Sequence, residues 1–119
     1  MILSGVGSEV AKPLLRYVDA TRATGEVPIL GTGLCTSPET AAPVNGTFGH
    51  ALDYDDVLSM MPAHPSAVIL PALLASLDGQ RVSGRTLIEA YVIGVEACGK
   101  IGIGMTVGHY HRGYIKIDN

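Results

Sequence analysis

Charged side chains are scarce in this chain: Asp, Glu, Lys and Arg make up 16% of its 119 residues, against 47% hydrophobic. So apolar a composition argues against disorder, and part of the apolar surface is expected to meet a partner. No basic block accompanies the net charge of -3, which speaks against nucleic acid and against an anionic membrane surface as partners. Cysteine is nearly absent as well. Cys35 and Cys98 stand far apart with no Cys-x-x-Cys pair, so no disulfide framework is expected and a reducing cytoplasm fits best. No apolar run reaches the roughly 18 to 20 residues of a membrane span. Met1-Ile2-Leu3-Ser4 lacks the basic start and long apolar stretch of a secretory leader and is not expected to be one. The length suits one compact domain, or a piece of a larger one.

What is present reads as helix. From Ser8 to Thr24, Val10, Ala11, Leu14, Leu15 and Val18 share one face opposite Lys12, Arg16, Asp19 and Arg22, an amphipathic helix ended by Gly25. Pro13 either opens its regular part or kinks it. Val27 to Leu30 is a short extended segment, bounded by Gly31-Thr32-Gly33 and too short to found a sheet. Ser37-Pro38-Glu39 is a helix start: a serine N-cap, proline at the first position, and an acid in the positive first turn. That helix is expected to carry both His50 and Asp53, although Asn45-Gly46 has the look of a turn. Val57 to Ala63 reads as a loop. Pro65-Ser66 then opens a helix whose Val68, Ile69, Leu70, Leu73, Leu74 and Leu77 surround it with apolar groups, so it is expected to be buried. Gly79 stops it. Ser83 caps a last long helix with Leu87, Ile88, Tyr91, Val92 and Val95 as its core stripe. Gly94, Gly99 and Gly102 cost that helix about 1 kcal/mol each relative to alanine, which close packing must offset. The fold class expected is all-α.

Acid/base chemistry is concentrated in Phe48-Gly49-His50-Ala51-Leu52-Asp53-Tyr54-Asp55-Asp56 and the following His64-Pro65-Ser66, where three carboxylates stand near two imidazoles. Such a set can bind a cation, move a proton, or sit beside a polar substrate. The spacing lacks the remaining oxygens, the sixth-position glycine and the terminal glutamate of a calcium loop. His109-Tyr110-His111 has no His-Glu-x-x-His context, and Gly102-x-Gly104 follows a helix rather than a strand, so neither a zinc motif nor a dinucleotide fingerprint is read there. Cys98 is most simply a core residue.

Val44-Asn45-Gly46-Thr47, His50-Ala51-Leu52-Asp53-Tyr54-Asp55-Asp56, His64-Pro65-Ser66 and Leu70-Pro71-Ala72-Leu73 together resemble the MmgE/PrpD family. Ser83-Gly84-Arg85, Ala90-Tyr91-Val92 through Gly94-x-Glu96, and His109-Tyr110-x-Arg112-Gly113-Tyr114 extend the resemblance over about residues 7 to 114. Members include 2-methylcitrate dehydratases, cis-aconitate decarboxylases and iminodisuccinate epimerases, which act beside the carboxylates of small polycarboxylic acids. The resemblance implies a lyase of 2-methylcitrate dehydratase type, and a family architecture of a large helical domain with a smaller α/β lid. Asp53 matches the first aspartate of the family's Leu-Asp-x-Asp-Asp segment. His64 matches its His-Pro-Ser histidine, which in the decarboxylase branch lies against substrate. These two are the expected catalytic residues, with His64 as the tuned acid or base and Asp53 orienting it. His109 and Arg112 are the expected substrate-binding cations. The scheme requires no cofactor and no metal, and a homo-oligomer, of which a homodimer is the simplest case, is expected.

The chain departs from the family at specific points. Val57 stands where the decarboxylase branch has a threonine soon after the double aspartate, and Ile115 where a further active-site histidine follows the Arg-Gly-Tyr motif. Later lysine and tyrosine groups, the lid and much of the helical domain are missing. The expectation is therefore a truncated partial helical domain over residues 1–119, with little or no activity alone. Two other readings fit the same residues: a non-catalytic helical module that self-associates, and a metal-binding protein using His50, Asp53, Asp55, His64 and His109.

Overall fold

The computed structural model describes residues 1–59, 63–77 and 79–109, together with the side chains in that range except those of Thr106, Val107 and His109. The elements follow in the order α1 (Ile2–Gly5), α2 (Ala11–Thr21), β1 (Val27–Ile29), β2 (Leu34–Thr36), α3 (Pro38–His50), α4 (Pro65–Ser76) and α5 (Gly84–His109). Helix dominates, as expected, but the strict all-α expectation is corrected by the antiparallel hairpin. Its register pairs Val27 with Thr36, Pro28 with Cys35 and Ile29 with Leu34. Gly31 and Gly33 both take positive φ in the connecting loop, 84° and 73°, backbone that glycine adopts without a Cβ clash. The Thr32 hydroxyl closes the loop by donating to Ile29 O at 2.8 Å.

The centre of the molecule is α3. Ser37 precedes it in extended conformation with Pro38 at its first position, and the Ser37 hydroxyl donates to Thr40 Oγ1 at 3.3 Å. Glu39 stands in the positive first turn. Its own backbone N–H, and then the Ser37 hydroxyl, hold its carboxyl below the ordinary value of 4.5. Thr40, Ala41, Val44, Asn45, Phe48 and Gly49 are buried, a stripe at helical spacing that faces partners on more than one side. Toward the amino-terminal end, Val44 and Phe48 meet Ala11 and Ile29, with Ile2, Val6, Leu14, Leu15 and Val18 packed around them. A second small core joins Ala41 to Val27 and Ala75.

Asn45-Gly46 lies inside α3 and makes no turn there, and packing explains why. The Asn45 side chain is 2% exposed; its Oδ1 accepts the Leu30 N–H at 2.9 Å and its Nδ2 donates to Pro28 O at 3.0 Å, fastening the hairpin to the helix. A Cβ on Gly46 would lie 2.7 Å from the carbonyl oxygen of Ala67, so the missing side chain is what lets α3 and α4 approach.

Other boundaries differ from expectation. Arg22, with φ of 48°, ends α2 before Gly25 is reached, and its N–H returns to Asp19 O. Pro13 falls in the first turn of α2, where no helical hydrogen bond is lost. Helix α4 starts at Pro65 and stops ahead of Gly79, whose φ is 73°, but it is not fully buried: Val68 is 70% exposed. Its two neighbours, α3 and α5, leave one outer row open. On α5 the inward positions are Leu87, Tyr91, Gly94, Val95, Cys98 and Gly99, whereas Ile88 and Val92 of the expected stripe are 65% and 58% exposed. The Ser83 hydroxyl accepts the Thr86 N–H at 3.0 Å, the expected cap. Ile69 lies against Gly94, within 2.8 Å of where a Cβ would stand, so the space left by that glycine is filled. Among the described residues, no helix is long and apolar enough to cross a membrane.

Candidate active site

Three chain segments bring the acid/base groups together. The last residue of α3 is His50. Asp53 follows in a tight turn rather than on the helix, contrary to expectation: its N–H bonds back to His50 O at 2.9 Å and its φ is 54°. Aspartate tolerates this left-handed conformation better than most side chains, and the turn reverses the chain so that Asp55 comes back under His50. His64 stands immediately before α4 with a non-helical backbone, as the following proline favours.

The Asp55 side chain is at the centre and has no solvent exposure. Both of its oxygens lie 3.1 Å from His50 Nδ1. His64 Nδ1 is 3.3 Å from Asp55 Oδ2, and His64 Nε2 is 3.9 Å from Asp53 Oδ1. The Nδ1 contact is close but poorly aligned, so this buried nitrogen has no hydrogen-bond partner among the described residues. The two imidazole rings face each other at 4.4 Å between centroids, tilted by 58°. Exposure grades outward: His64 27%, His50 44% and Asp53 80%. A buried acceptor is thus flanked by two half-open imidazoles, with a solvated carboxylate at the rim.

The neighbouring residues hold this arrangement. Asp56 Oδ1 accepts the Ser66 N–H at 3.1 Å, satisfying one of the free donors at the start of α4. The Ser66 hydroxyl pairs with the Tyr91 hydroxyl, joining that start to α5. His64 is therefore anchored by a motif whose other members are structural. A cavity of about 360 Å³ lies between α1, α3 and α4 with Ser66 in its lining, and none of the four acid/base side chains lines it.

Of the residues expected from sequence, His64 and Asp53 come together. Arg112 lies outside the described residues, and so does the side chain of His109, whose backbone ends α5. The closer partner of His64 is Asp55, and His50 shares it; neither was assigned a catalytic role from sequence. The two-residue step from Asp53 to Asp55 gives no sign of which carboxylate turns inward. Donor atoms of His50, Asp53, Asp55 and His64 all lie within 4.8 Å of one another, a spacing one cation would span. Asp55 nevertheless has His50 as an internal partner, so its burial does not require an ion.

A model of the MmgE/PrpD N-terminal domain matches residues 1–117. The chain is 32% identical over 109 residues to the cis-aconitate decarboxylase-like protein oryM of Aspergillus oryzae, covering 84% of this chain and 23% of that protein. It is 33% identical over 95 residues to the cis-aconitate decarboxylase of Aspergillus terreus, covering 73% and 19%. With the cis-aconitate decarboxylase of Mus musculus it shares 32% over 103 residues, covering 82% and 21%. The chain therefore spans about a fifth of the length of these curated relatives. Their similarity and the extent of the domain match establish that the chain belongs to the MmgE/PrpD family, within its N-terminal domain.

Proposed function

We propose that this chain carries part of the acid/base site of a lyase acting on a small polycarboxylic acid, with His64 transferring the proton and Asp53 beside it. The observation that supports this most is the placement of the His64 ring, which has one nitrogen against the buried Asp55 and the other 3.9 Å from the exposed Asp53. When a carbon–carboxylate bond breaks and carbon dioxide leaves, an electron pair remains on carbon and must be protonated. When water is eliminated instead, a proton is taken from carbon as hydroxide departs. Either reaction needs a side chain that holds and releases a proton near neutrality, the ordinary capacity of an imidazole.

The names of the relatives favour decarboxylation of cis-aconitate over dehydration of 2-methylcitrate as the reaction this segment serves. A polycarboxylate beside Asp53 needs compensating cations, and in this reading His109 and Arg112 supply them. No cofactor enters the scheme. The same reading has a homo-oligomer in the cytoplasm, where the free thiols of Cys35 and Cys98 remain reduced.

Because the chain spans about a fifth of its relatives, the test is a chimera. Residues 1–109 replace the matching segment of the Aspergillus terreus enzyme, so that the host keeps its own residue at the position of Ile115, and release of carbon dioxide from cis-aconitate is followed. The chimera is expected to turn over. His64→Ala in it is expected to lower kcat/KM by about 10²- to 10⁴-fold with an unchanged far-UV spectrum. An undiminished rate removes His64 from the mechanism.

A second reading, a non-catalytic helical module that self-associates, is favoured by one observation. Val68, Ile88, Ile93 and Ile101 are each more than 60% exposed on α4 and α5. Concentration-dependent association of the chain, together with an inactive chimera, supports that reading over the first.

A further inference from the structure

We infer that Asp55 is the positioning residue for His64: its buried carboxylate keeps a proton on Nδ1 and thereby leaves Nε2 as the nitrogen that exchanges protons. The inference rests on the reading of His64 as the acid/base group and adds which atom reacts and what orients it. His64 Nδ1 is buried and lies 3.3 Å from Asp55 Oδ2. If that nitrogen carried a lone pair, two acceptors would face each other away from water, which is repulsive. With a proton on Nδ1 the same contact is attractive, and a small rotation of the ring makes it a hydrogen bond. The neutral ring then has its lone pair on Nε2, the nitrogen on the side of the exposed Asp53.

His50 has a defined part in this arrangement. Its Nδ1 is 3.1 Å from both Asp55 oxygens, so it donates to the carboxylate and fixes its plane. The carboxylate faces one imidazole that holds it and one that it orients. Asp53 differs in kind. It is 80% exposed and beyond hydrogen-bond distance of Nε2, so it lies on the reacting side of the ring and cannot select the tautomer. This arrangement has the logic of a buried aspartate behind a catalytic histidine, in which the carboxylate sets tautomer and orientation while the opposite nitrogen does the chemistry.

The test needs no turnover. Ring-nitrogen chemical shifts of the 119-residue chain, read by long-range proton–nitrogen correlation at mildly alkaline pH, report which nitrogen of each histidine carries the proton. His50 and His64 are both expected in the Nδ1–H form, the minor one for a free imidazole. Asp55→Asn is expected to return His64 mainly to Nε2–H, and Asp53→Asn to leave it as Nδ1–H. A wild-type His64 in the Nε2–H form overturns the inference, as does a tautomer that responds to Asp53→Asn and not to Asp55→Asn. The wild-type spectrum is decisive by itself, so a variant that fails to fold does not shield the idea. An inactive chimera with His64 in the Nδ1–H form would sink the proposed reaction and leave the positioning intact. An active chimera with the Nε2–H form would do the reverse.

Discussion

Asn45 and Leu30 are joined between helix and hairpin by a half-buried contact, the Leu30 N–H donating to Asn45 Oδ1 at 2.9 Å, while the same amide gives its own proton to Pro28 O. One side chain thus satisfies a backbone donor and a backbone acceptor in a hairpin of two three-residue strands, which is marginal by itself. Asn45→Ala leaves both half-buried groups without this partner, and is expected to cost about 1 to 3 kcal/mol in urea unfolding. Asn45→Asp keeps the acceptor but sets a second oxygen against Pro28 O, and is expected to be as damaging at neutral pH. A loss below about 0.5 kcal/mol for Asn45→Ala would show that water replaces the clamp.

Gly46→Ala reverses the usual sign of a helix substitution. Inside a helix the change ordinarily stabilises by about 1 kcal/mol. Here the new Cβ would meet Ala67 O at 2.7 Å, a backbone atom that moves only if α3 and α4 separate. The expectation is a net loss of about 1 to 3 kcal/mol. Because His50 ends α3 and His64 precedes α4, the nuclear Overhauser contacts between the two rings should weaken as well.

Asp53 separates chemistry from stability. At φ of 54°, Asp53→Asn and Asp53→Gly should be tolerated within about 0.5 kcal/mol, whereas Asp53→Ala should cost about 1 kcal/mol. If the exposed carboxylate acts on substrate, all three lower the rate of the chimera alike. A rate that follows stability across the series would instead make Asp53 a turn residue only.

Glu39 sets an acid-side dependence whose sign is fixed by its shift. Hydrogen bonds from its own backbone N–H and from Ser37 lower its folded value below 4.5, so it contributes stability at pH above that value. The contribution fades as pH falls through the lower folded value. Wild type and Glu39→Gln should therefore differ most above pH 4.5 and converge in stronger acid, as thermal unfolding at a series of pH values would show. A constant difference across that range would deny Glu39 its role at the start of α3.

Local chemistry made much of this fold legible. Ser37-Pro38-Glu39, His64-Pro65 and Ser83 each mark a helix start by capping or by proline geometry, and each start falls where the residues indicate. Leu34–Thr36 was not readable, because three residues show no periodicity and the strand exists only through its pairing with Val27–Ile29. The stripe on α5 differs from the expected one for a related reason: with helix α4 on one side, Tyr91 and Val95 face inward while Ile88 and Val92, equally apolar, face out. In the site, His64 and Asp53 stand out as residue types in a motif. The Asp55 link to both imidazoles depends on a turn closing between two helices, which no spacing along the chain reports.

The outer surface of α5 gives the last prediction. Arg85 with Glu89 and Glu96 with Lys100 form ion pairs one turn apart, so one strip of the exposed face is polar and solvated. Beside it Ile93 is 69% and Ile101 62% exposed, two turns apart on the same helix, and Met105 continues beyond them at 44%. Water contact at these side chains is unfavourable, and association of two such surfaces removes it. Ile93→Gln with Ile101→Gln removes the driving force without touching the inward row of Tyr91, Val95 and Cys98. In sedimentation velocity the wild-type chain should shift toward a larger species as concentration rises. The double variant should remain monomeric over the same range, with its unfolding free energy within about 1 kcal/mol of wild type. Equal association by both proteins would place the contact on another surface, of which the exposed Val68 row of α4 is the next to test.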